Sequence, residues 1–389
     1  MGQNWAKTHD KKVKVLFILD FLSYGGIERL AYDFLINSYS NPNFEFILLN
    51  LDGGSFEKEF NKLPLRHFRF FRKRFIDINV ILRLRKLIKK ENIDIVHSQN
   101  IVGDFYAYLA GIGGNVKLIR TFHSLGKKKK WNKIITHILL GKHSLNIAVS
   151  NSFRDQIIHY FKPKVSENFR MVYNGIDFNR LITKKTSIRK QTGIPENALL
   201  FGMVGNFVNI KDQLTICKSM KILRDRENNA HFVFVGTHNG IDKYYLQNCI
   251  DYCTKHQLSD RVHFLGLRTN APDIVAELDL FVFSSLYDTF GIAMAEAMAL
   301  GIPCISSNIE PLREITNNGM YARLFETGNE YKLADEIVSF IKDPGNFSKM
   351  AELAKTHVHT MFSIENHTQS NFALYNEVLL MNKATKRKS

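Results

Sequence analysis

Short runs of β-branched, aromatic and aliphatic residues recur along the chain, separated by stretches whose apolar positions follow a helical period. The first half carries "KVLFIL", "FEFILLNL", "IDIVHSQ", "KLIRTFHS", "LNIAVS" and "FRMVYNG", and the second "LLFGMVGNF", "HFVFVG", "RVHFLG", "LDLFVFSS", "IPCISSN" and "ARLF". Continuous apolar strands alternating with helices predict parallel sheets covered on both faces. Two such series predict two doubly wound α/β domains, with no internal repeat linking them. The break falls in the polar stretch "DFNRLITKKTSIRKQTGIPENA". The expected domains are residues 1–180 and 190–365, with a C-terminal helix of about 366–389 packing back on the first. Ligands of open α/β sheets bind beyond the carboxyl ends of the strands, so two facing domains would enclose a central cleft.

The length of 389 residues suits two domains, and 45% hydrophobic with 23% charged residues is an ordinary globular composition. No apolar run reaches the eighteen residues that would predict a transmembrane helix. The start, "MGQNWAKTHDKK", is too polar for a signal peptide and lacks the Ser or Thr that myristoylation favours, so a cytoplasmic location is expected. Four cysteines are too few for a disulfide scaffold. Cys249, Cys253 and His256 share a helical spacing, but no fourth ligand stands near, and zinc is rejected.

Charge changes the picture once it is located. The net +16 lies entirely in the first 185 residues, which hold 32 Lys and Arg against 15 Asp and Glu; the remainder holds 21 against 22. The densest parts, "RHFRFFRKRFIDINVILRLRKLIKKEN" and "GKKKKWNKIITHILLGKHS", interleave basic and apolar residues. A solvated basic face is one reading. Attachment to an anionic membrane is the other, at about 1 kcal/mol per basic residue near the surface. Nucleic acid is not expected, because no helix-turn-helix, zinc-finger or RNP signature is present.

The candidate chemistry gathers at the strand ends. Gly25 and Gly26 follow the first strand and would let backbone amides approach a phosphate or sugar, although such pairs are often plain tight turns. The dinucleotide fingerprint and the P-loop are both absent. In "SLYDTFGIAMAEAMALGIP", Thr289 can cap a helix whose start, at Phe290, Gly291 and Ile292, offers N–H groups and positive dipole to a diphosphate. Glu296 lies six residues beyond Phe290, about 9 Å along a helix. It is either a ribose ligand or an exposed residue beside a packed Ala/Met face. Asp288 precedes the helix. His97 in "VHSQN" is a candidate positioning residue or acceptor contact, with a purely structural place equally open, and Asn174 in "YNGID" is a turn former that could also reach a donor.

The segments "GGIER", "DIVHSQN", "TFHS", "AVSNSF", "VYNGID", "GMVGNFVNIKD", "VHFLG" and "SLYDTFGIAMAEAMALGIPCI" together resemble the retaining glycosyltransferases of family 4, with the GT-B fold. The resemblance covers nearly the whole chain. It implies that Glu296 holds the donor ribose and Asp288 contacts the transferred sugar. Phe290, Gly291 and Ile292 would hold the diphosphate by their amides, with Lys211 and the residue at Asn206. Gly25 and Gly26 would close on the donor, and His123 would lie under the sugar on the acceptor side. Two positions depart from the pattern: Asp288 stands where Glu is common, and Asn206 where Arg is common, which leaves more to Lys211 and to Arg268.

The implied reaction is retaining, metal-independent hexosyl transfer without a cofactor, from a nucleotide sugar (a UDP-sugar being the expected donor) to a lipid-linked or saccharide acceptor. The expected setting is polysaccharide or lipopolysaccharide assembly at the inner face of a bacterial membrane, with the protein peripherally attached. No Asp-x-Asp occurs in the sequence, so charge on the leaving diphosphate falls to Lys211 and the helix amides. A non-catalytic binding or regulatory relative is the alternative.

Overall fold

The computed structural model describes residues 11–74, 76–125, 130–162, 168–226, 229–238 and 242–385. It divides into two compact units: residues up to Gly175 together with those from Ile364 onward, and Ile176–Ser363.

The first unit is built on seven parallel strands: β1 (Val13–Leu19), β2 (Phe44–Asn50), β3 (Arg66–Arg69), β4 (Ile95–Ser98), β5 (Lys117–Phe122), β6 (Leu145–Ala148) and β7 (Phe169–Met171). Their order is β3-β2-β1-β4-β5-β6-β7. The period of two along a strand explains why both faces are greasy. Val15, Phe17 and Leu19 enter one core layer, while Leu16 and Ile18 enter the other. In the first layer the sheet is covered by the helix Gly26–Ser38 and by the last helix, Ile364–Thr385, through Phe34, Phe372 and Tyr375. In the second it is covered by the helices Ile78–Glu91 and Ile101–Gly111. The Asn-Gly turn at Asn174 passes under the start of the last helix: a Cβ on Gly175 would stand 2.6 Å from the Cβ of His367. Only glycine permits that approach.

β3 was not expected from the sequence. "RHFR" alternates polar and apolar positions at the sheet edge, where Arg66 turns outward to Glu45 at 2.6 Å and Glu91 at 2.5 Å.

The second unit carries six parallel strands: β8 (Leu199–Val204), β9 (Ala230–Val235), β10 (Val262–Phe264), β11 (Leu280–Phe283), β12 (Cys304–Ser307) and β13 (Arg323–Phe325). Their order is β10-β9-β8-β11-β12-β13. Both sheets therefore reverse direction of winding at one point, between β1 and β4 in the first and between β8 and β11 in the second. Such a switch point opens a crevice beyond the carboxyl ends of the two strands.

All four cysteines are buried and free. Among the described residues, no helix is long and apolar enough to cross a membrane, and no three His, Cys, Asp or Glu side chains converge as metal ligands would.

Candidate functional site

At the switch point of the second unit, the end of β11 staples the loop that follows β8. The buried Ser284 hydroxyl donates to the Asp212 carbonyl at 2.9 Å, Ser285 donates to the Ile210 carbonyl at 2.9 Å, and the Leu286 N–H donates to the same carbonyl at 2.8 Å. These bonds fix the single 3₁₀ turn Asn209–Lys211. Lys211 Nζ then lies 2.5 Å from Asp288 Oδ2 and 4.7 Å from the centroid of the Phe283 ring. Asn206 is half-buried at the end of β8, where its carbonyl accepts from Gln213 Nε2 at 3.0 Å. Arg268 is exposed and donates to the Leu265 carbonyl.

Asp288 also shapes the helix start: its Oδ1 accepts the Thr289 N–H at 2.8 Å. The helix itself runs Ile292–Ala299, later than a Thr289 cap would set it, with Gly291 as its cap residue at φ +93°. A side chain there would be strained, and a Cβ would lie 2.7 Å from Leu312. Phe290 is an anchor, 1% exposed and set edge-on to Phe362 at 5.2 Å. Met294, Ala295, Ala297 and Met298 are fully buried, so the helix shows one open stripe, from Ile292 and Ala293 to Glu296. Glu296 is thus neither buried nor free. Its carboxylate is paired with the guanidinium of Arg180, from the 3₁₀ turn Phe178–Leu181. Arg180 is a residue the sequence reading missed.

Within the second unit, then, Lys211, Asp288, the helix start and Glu296 with Arg180 form one polar strip. The first N–H groups of a helix have no partner within it and carry partial positive charge, so the strip offers cations and dipole at one end and a carboxylate one turn on. That suits an anionic group joined to vicinal hydroxyls.

The switch point of the first unit is different in kind. Beyond β1, β4 and β5 lies a cavity of about 220 Å³ lined by Asp20, Asn100, Arg120 and His123, among others. His123 is half-buried, with Nε2 2.8 Å from Gln99 Oε1; burial, with His367 near, pushes its pKa down to about 3. His97 does not reach this cavity as an open contact. It is 2% exposed, with Nδ1 2.7 Å from the Tyr375 hydroxyl and Nε2 2.8 Å from Thr121 Oγ1, and burial lowers its pKa to about 3. It lies on the Ile95 face of β4, with its ring edge-on to Phe17 in that core layer, so the structure favours the structural reading over an acceptor contact.

Behind the cavity, Asp104 is held between Arg120 and His143. Burial alone would raise its carboxyl, but those two partners bring it below the ordinary range. Gly25 and Gly26 sit at the start of the helix Gly26–Ser38, and the space above Gly25 is already taken: a Cβ there would meet Glu28 Oε2 at 2.6 Å. Glu28 folds back over its own helix start, so those amides face a carboxyl of the protein.

The sequence profile described as "Glycosyl transferases group 1" matches residues 184–357, and that described as "Glycosyltransferase Family 4" matches residues 24–180. Among curated proteins, the N-acetyl-alpha-D-glucosaminyl L-malate synthase of Bacillus anthracis is 27% identical over 82% of this chain and 84% of its own length. The UDP-Gal:alpha-D-GlcNAc-diphosphoundecaprenol alpha-1,3-galactosyltransferase of Escherichia coli is 29% identical over 69% of this chain and 71% of its own. Among solved structures, HepE of Anabaena in complex with UDP and glucose superposes with a TM-score of 0.84, at 20% identity, over 94% of this chain and 100% of that one. A glycosyltransferase from Rickettsia africae gives 0.83 at 19% identity, over 95% and 99%. Two profile matches that between them take in most of both units, on this two-sheet frame, place the chain in the GT-B glycosyltransferases of family 4, group 1.

Proposed function

We propose that this glycosyltransferase moves a hexose from a nucleotide sugar to a saccharide or lipid-linked acceptor, with retention at the anomeric carbon and without a metal ion. The observation that carries the reading is the strip in the second unit: Lys211 2.5 Å from Asp288, at the start of the helix that bears Glu296. Cleavage leaves negative charge on the diphosphate, and Lys211 with the helix amides supplies the compensating positive field in place of a cation. Glu296 takes the ribose hydroxyls, Asp288 those of the sugar, and His123 orients the acceptor side. Retention rests on the family resemblance alone. UDP-bound and UDP-glucose-bound neighbours favour a uridine donor, and relatives in O-antigen and capsule synthesis favour a surface polysaccharide as product.

Attachment to an anionic membrane belongs to the same proposal. On the helix Ile78–Glu91, Ile78 and Leu82 are 67% and 56% exposed, one turn apart among basic residues. On the helix Lys130–Leu140, Ile134 and Ile138 repeat the arrangement at 49% and 54%. Both helices flank Ile101–Gly111 in the first unit, so a single face could offer both pairs to an interface while basic heads reach lipid phosphates. The lysine run at Lys127–Lys129 lies outside the described residues.

Mass analysis of a transfer reaction, run with a panel of nucleotide sugars in excess EDTA, tests the central claim. Transfer from one donor that survives the chelator is expected. Loss of activity restored by Mg²⁺ or Mn²⁺ would refute the electrostatic account, and no turnover or nucleotide binding at all would favour a non-catalytic relative. Co-sedimentation with anionic and neutral vesicles at two salt concentrations tests the membrane claim: salt-sensitive binding to anionic lipid alone is expected.

A further inference from the structure

Arg180 and Glu296 meet across 116 positions of sequence, so their two elements must be held at a set spacing. Arg180 comes from the four-residue 3₁₀ turn Phe178–Leu181, and Glu296 from the eight-residue helix Ile292–Ala299. A long guanidinium side chain gives up much rotamer freedom when it is held, so the distance from turn to helix decides whether the pair forms. One segment touches both elements. Near the end of the helix Pro344–Met361, the His359 ring lies flat on the Phe178 ring, with centroids 3.9 Å apart and planes 12° from parallel. Its Nε2 lies 3.3 Å from the carbonyl of Ala299, the last residue of the Glu296 helix. A carbonyl only accepts, so Nε2 carries the proton and donates. The last carbonyls of a helix have no partner within it, and this bond serves one of them.

Just beyond that long helix, Phe362 repeats the pattern at the other end. Its ring is edge-on to Phe290, ahead of the Glu296 helix, and its carbonyl accepts the Ile176 N–H at 2.8 Å, just ahead of the Arg180 turn. The two helices also lie close: a Cβ on Gly301 would stand 3.4 Å from Lys355 Cδ. A chance neighbour would touch one element. His359 and Phe362 each touch both, at opposite ends of the helix that bears Glu296. We propose that His359 is a positioning residue for donor binding, setting Arg180 over Glu296 through its stack on Phe178 and its bond to Ala299, while Phe362 fixes the other end. This rests on the donor-site reading above and adds residues outside the site that govern it. Phe178 and Arg180 stand two apart on a turn of about three residues, and so point to different sides. The ring meets His359 and the guanidinium meets Glu296. His359 itself is exposed, so replacing it removes the contact and spares the core.

Three measurements on the full chain test it: ¹⁵N relaxation of the Arg180 side chain, titration calorimetry with UDP, GDP and ADP, and steady-state transfer rates. Loss of the signal in Arg180→Lys assigns it. His359→Ala should loosen Arg180 and raise both the Kd of the nucleotide that binds and the donor KM by about fivefold, the scale of one aromatic contact, with kcat unchanged. His359→Phe keeps the stack and should recover most of that loss. In an Arg180→Ala background, His359→Ala should add nothing, because the histidine acts through the arginine. A merely structural role would lower the melting temperature and leave the order of Arg180 and the donor KM alone. An Arg180 side chain as rigid in His359→Ala as in the native chain overturns the proposal. So does nucleotide affinity that His359→Ala leaves unchanged, or a loss that adds in full to that of Arg180→Ala. If no nucleotide binds the native chain, the donor reading falls, while an Arg180 loosened by His359→Ala still upholds the positioning of the pair.

Discussion

At the switch point of the second unit, charged side chains stand in pairs open to solvent on one side: Lys211 with Asp288, Arg180 with Glu296, each side chain between 13% and 22% exposed. At the switch point of the first unit, polar groups are buried and either shared in a tight cluster, as Asp104 is, or left without partners, as Asn100 Oδ1 is. The first arrangement keeps full charges ready at low desolvation cost and suits a ligand that is itself charged. The second keeps its charges compensated within the protein and out of water, Asp104 being shared between Arg120 and His143. One fold used twice thus gives two kinds of site, because the strand-end residues differ rather than the frame.

The comparison breaks most visibly at Lys211. If the paired charges of the second unit serve a leaving diphosphate, Lys211→Ala should lower kcat on the order of 10²–10³-fold, the usual loss for one stabilising donor. Asp288→Asn, which leaves the lysine in place, separates that loss from mere disruption of the pair. Steady-state transfer rates within about twofold of the native enzyme would remove Lys211 from the chemistry.

A smaller effect is expected at the other pair. Arg180 holds one oxygen of Glu296 and so fixes the carboxylate that would meet the ribose. Arg180→Ala and Glu296→Gln should each weaken nucleoside diphosphate binding by about tenfold, or 1.4 kcal/mol. Because the two act as a unit, the double variant should bind little worse than either single one. Titration calorimetry decides it, and strictly additive losses would mean that Arg180 does not act through Glu296.

Much of the frame was legible because fully buried parallel strands read as unbroken apolar runs, as "LFVF" at β11 does. β3 was not, since an edge strand with Arg66 and Arg69 facing out looks like a charged loop. At the sites, spacing brought Asp288 and Glu296 onto one helix region, and the structure adds Lys211 to the same strip. It could not supply Arg180, which meets Glu296 from 116 positions away and sits in a polar stretch that resembles a linker. Nor could it tell that His97 would be enclosed: β4 is covered on both faces, Ile95 in one core layer and Val96 in the other, and only the residues just beyond the strand open outward. The buried carboxyl of Glu28 gave no signal either: acids in a first helical turn are ordinarily exposed partners of the dipole.

Glu28 offers the finest test of the comparison, since it is the first unit's extreme case. It is 4% exposed, its Oε1 has no partner, and burial with Asp20 nearby raises its pKa from 4.5 to about 7. A raised folded-state value means that the folded chain holds this proton more tightly than the unfolded chain does. Its contribution to stability is therefore complete below about pH 4.5 and is lost as pH rises through about 7. His97, His123 and His367 act with the opposite sign: burial lowers them to about 3, 3 and 4, so their contribution is lost as pH falls below the ordinary 6.5. Asp20, which burial raises to about 6, shares the sign of Glu28, so Glu28→Gln removes only the Glu28 part and leaves the rest. The variant should match the native protein near pH 5 and melt several degrees higher at pH 8, at about 2–4 °C per kcal/mol for a unit of this size. Differential scanning calorimetry across that range reads the difference directly. An equal melting temperature at pH 8 would mean that the Glu28 carboxylate is hydrated or paired when ionised, and that the first unit's buried polar groups are less starved of water than their geometry implies.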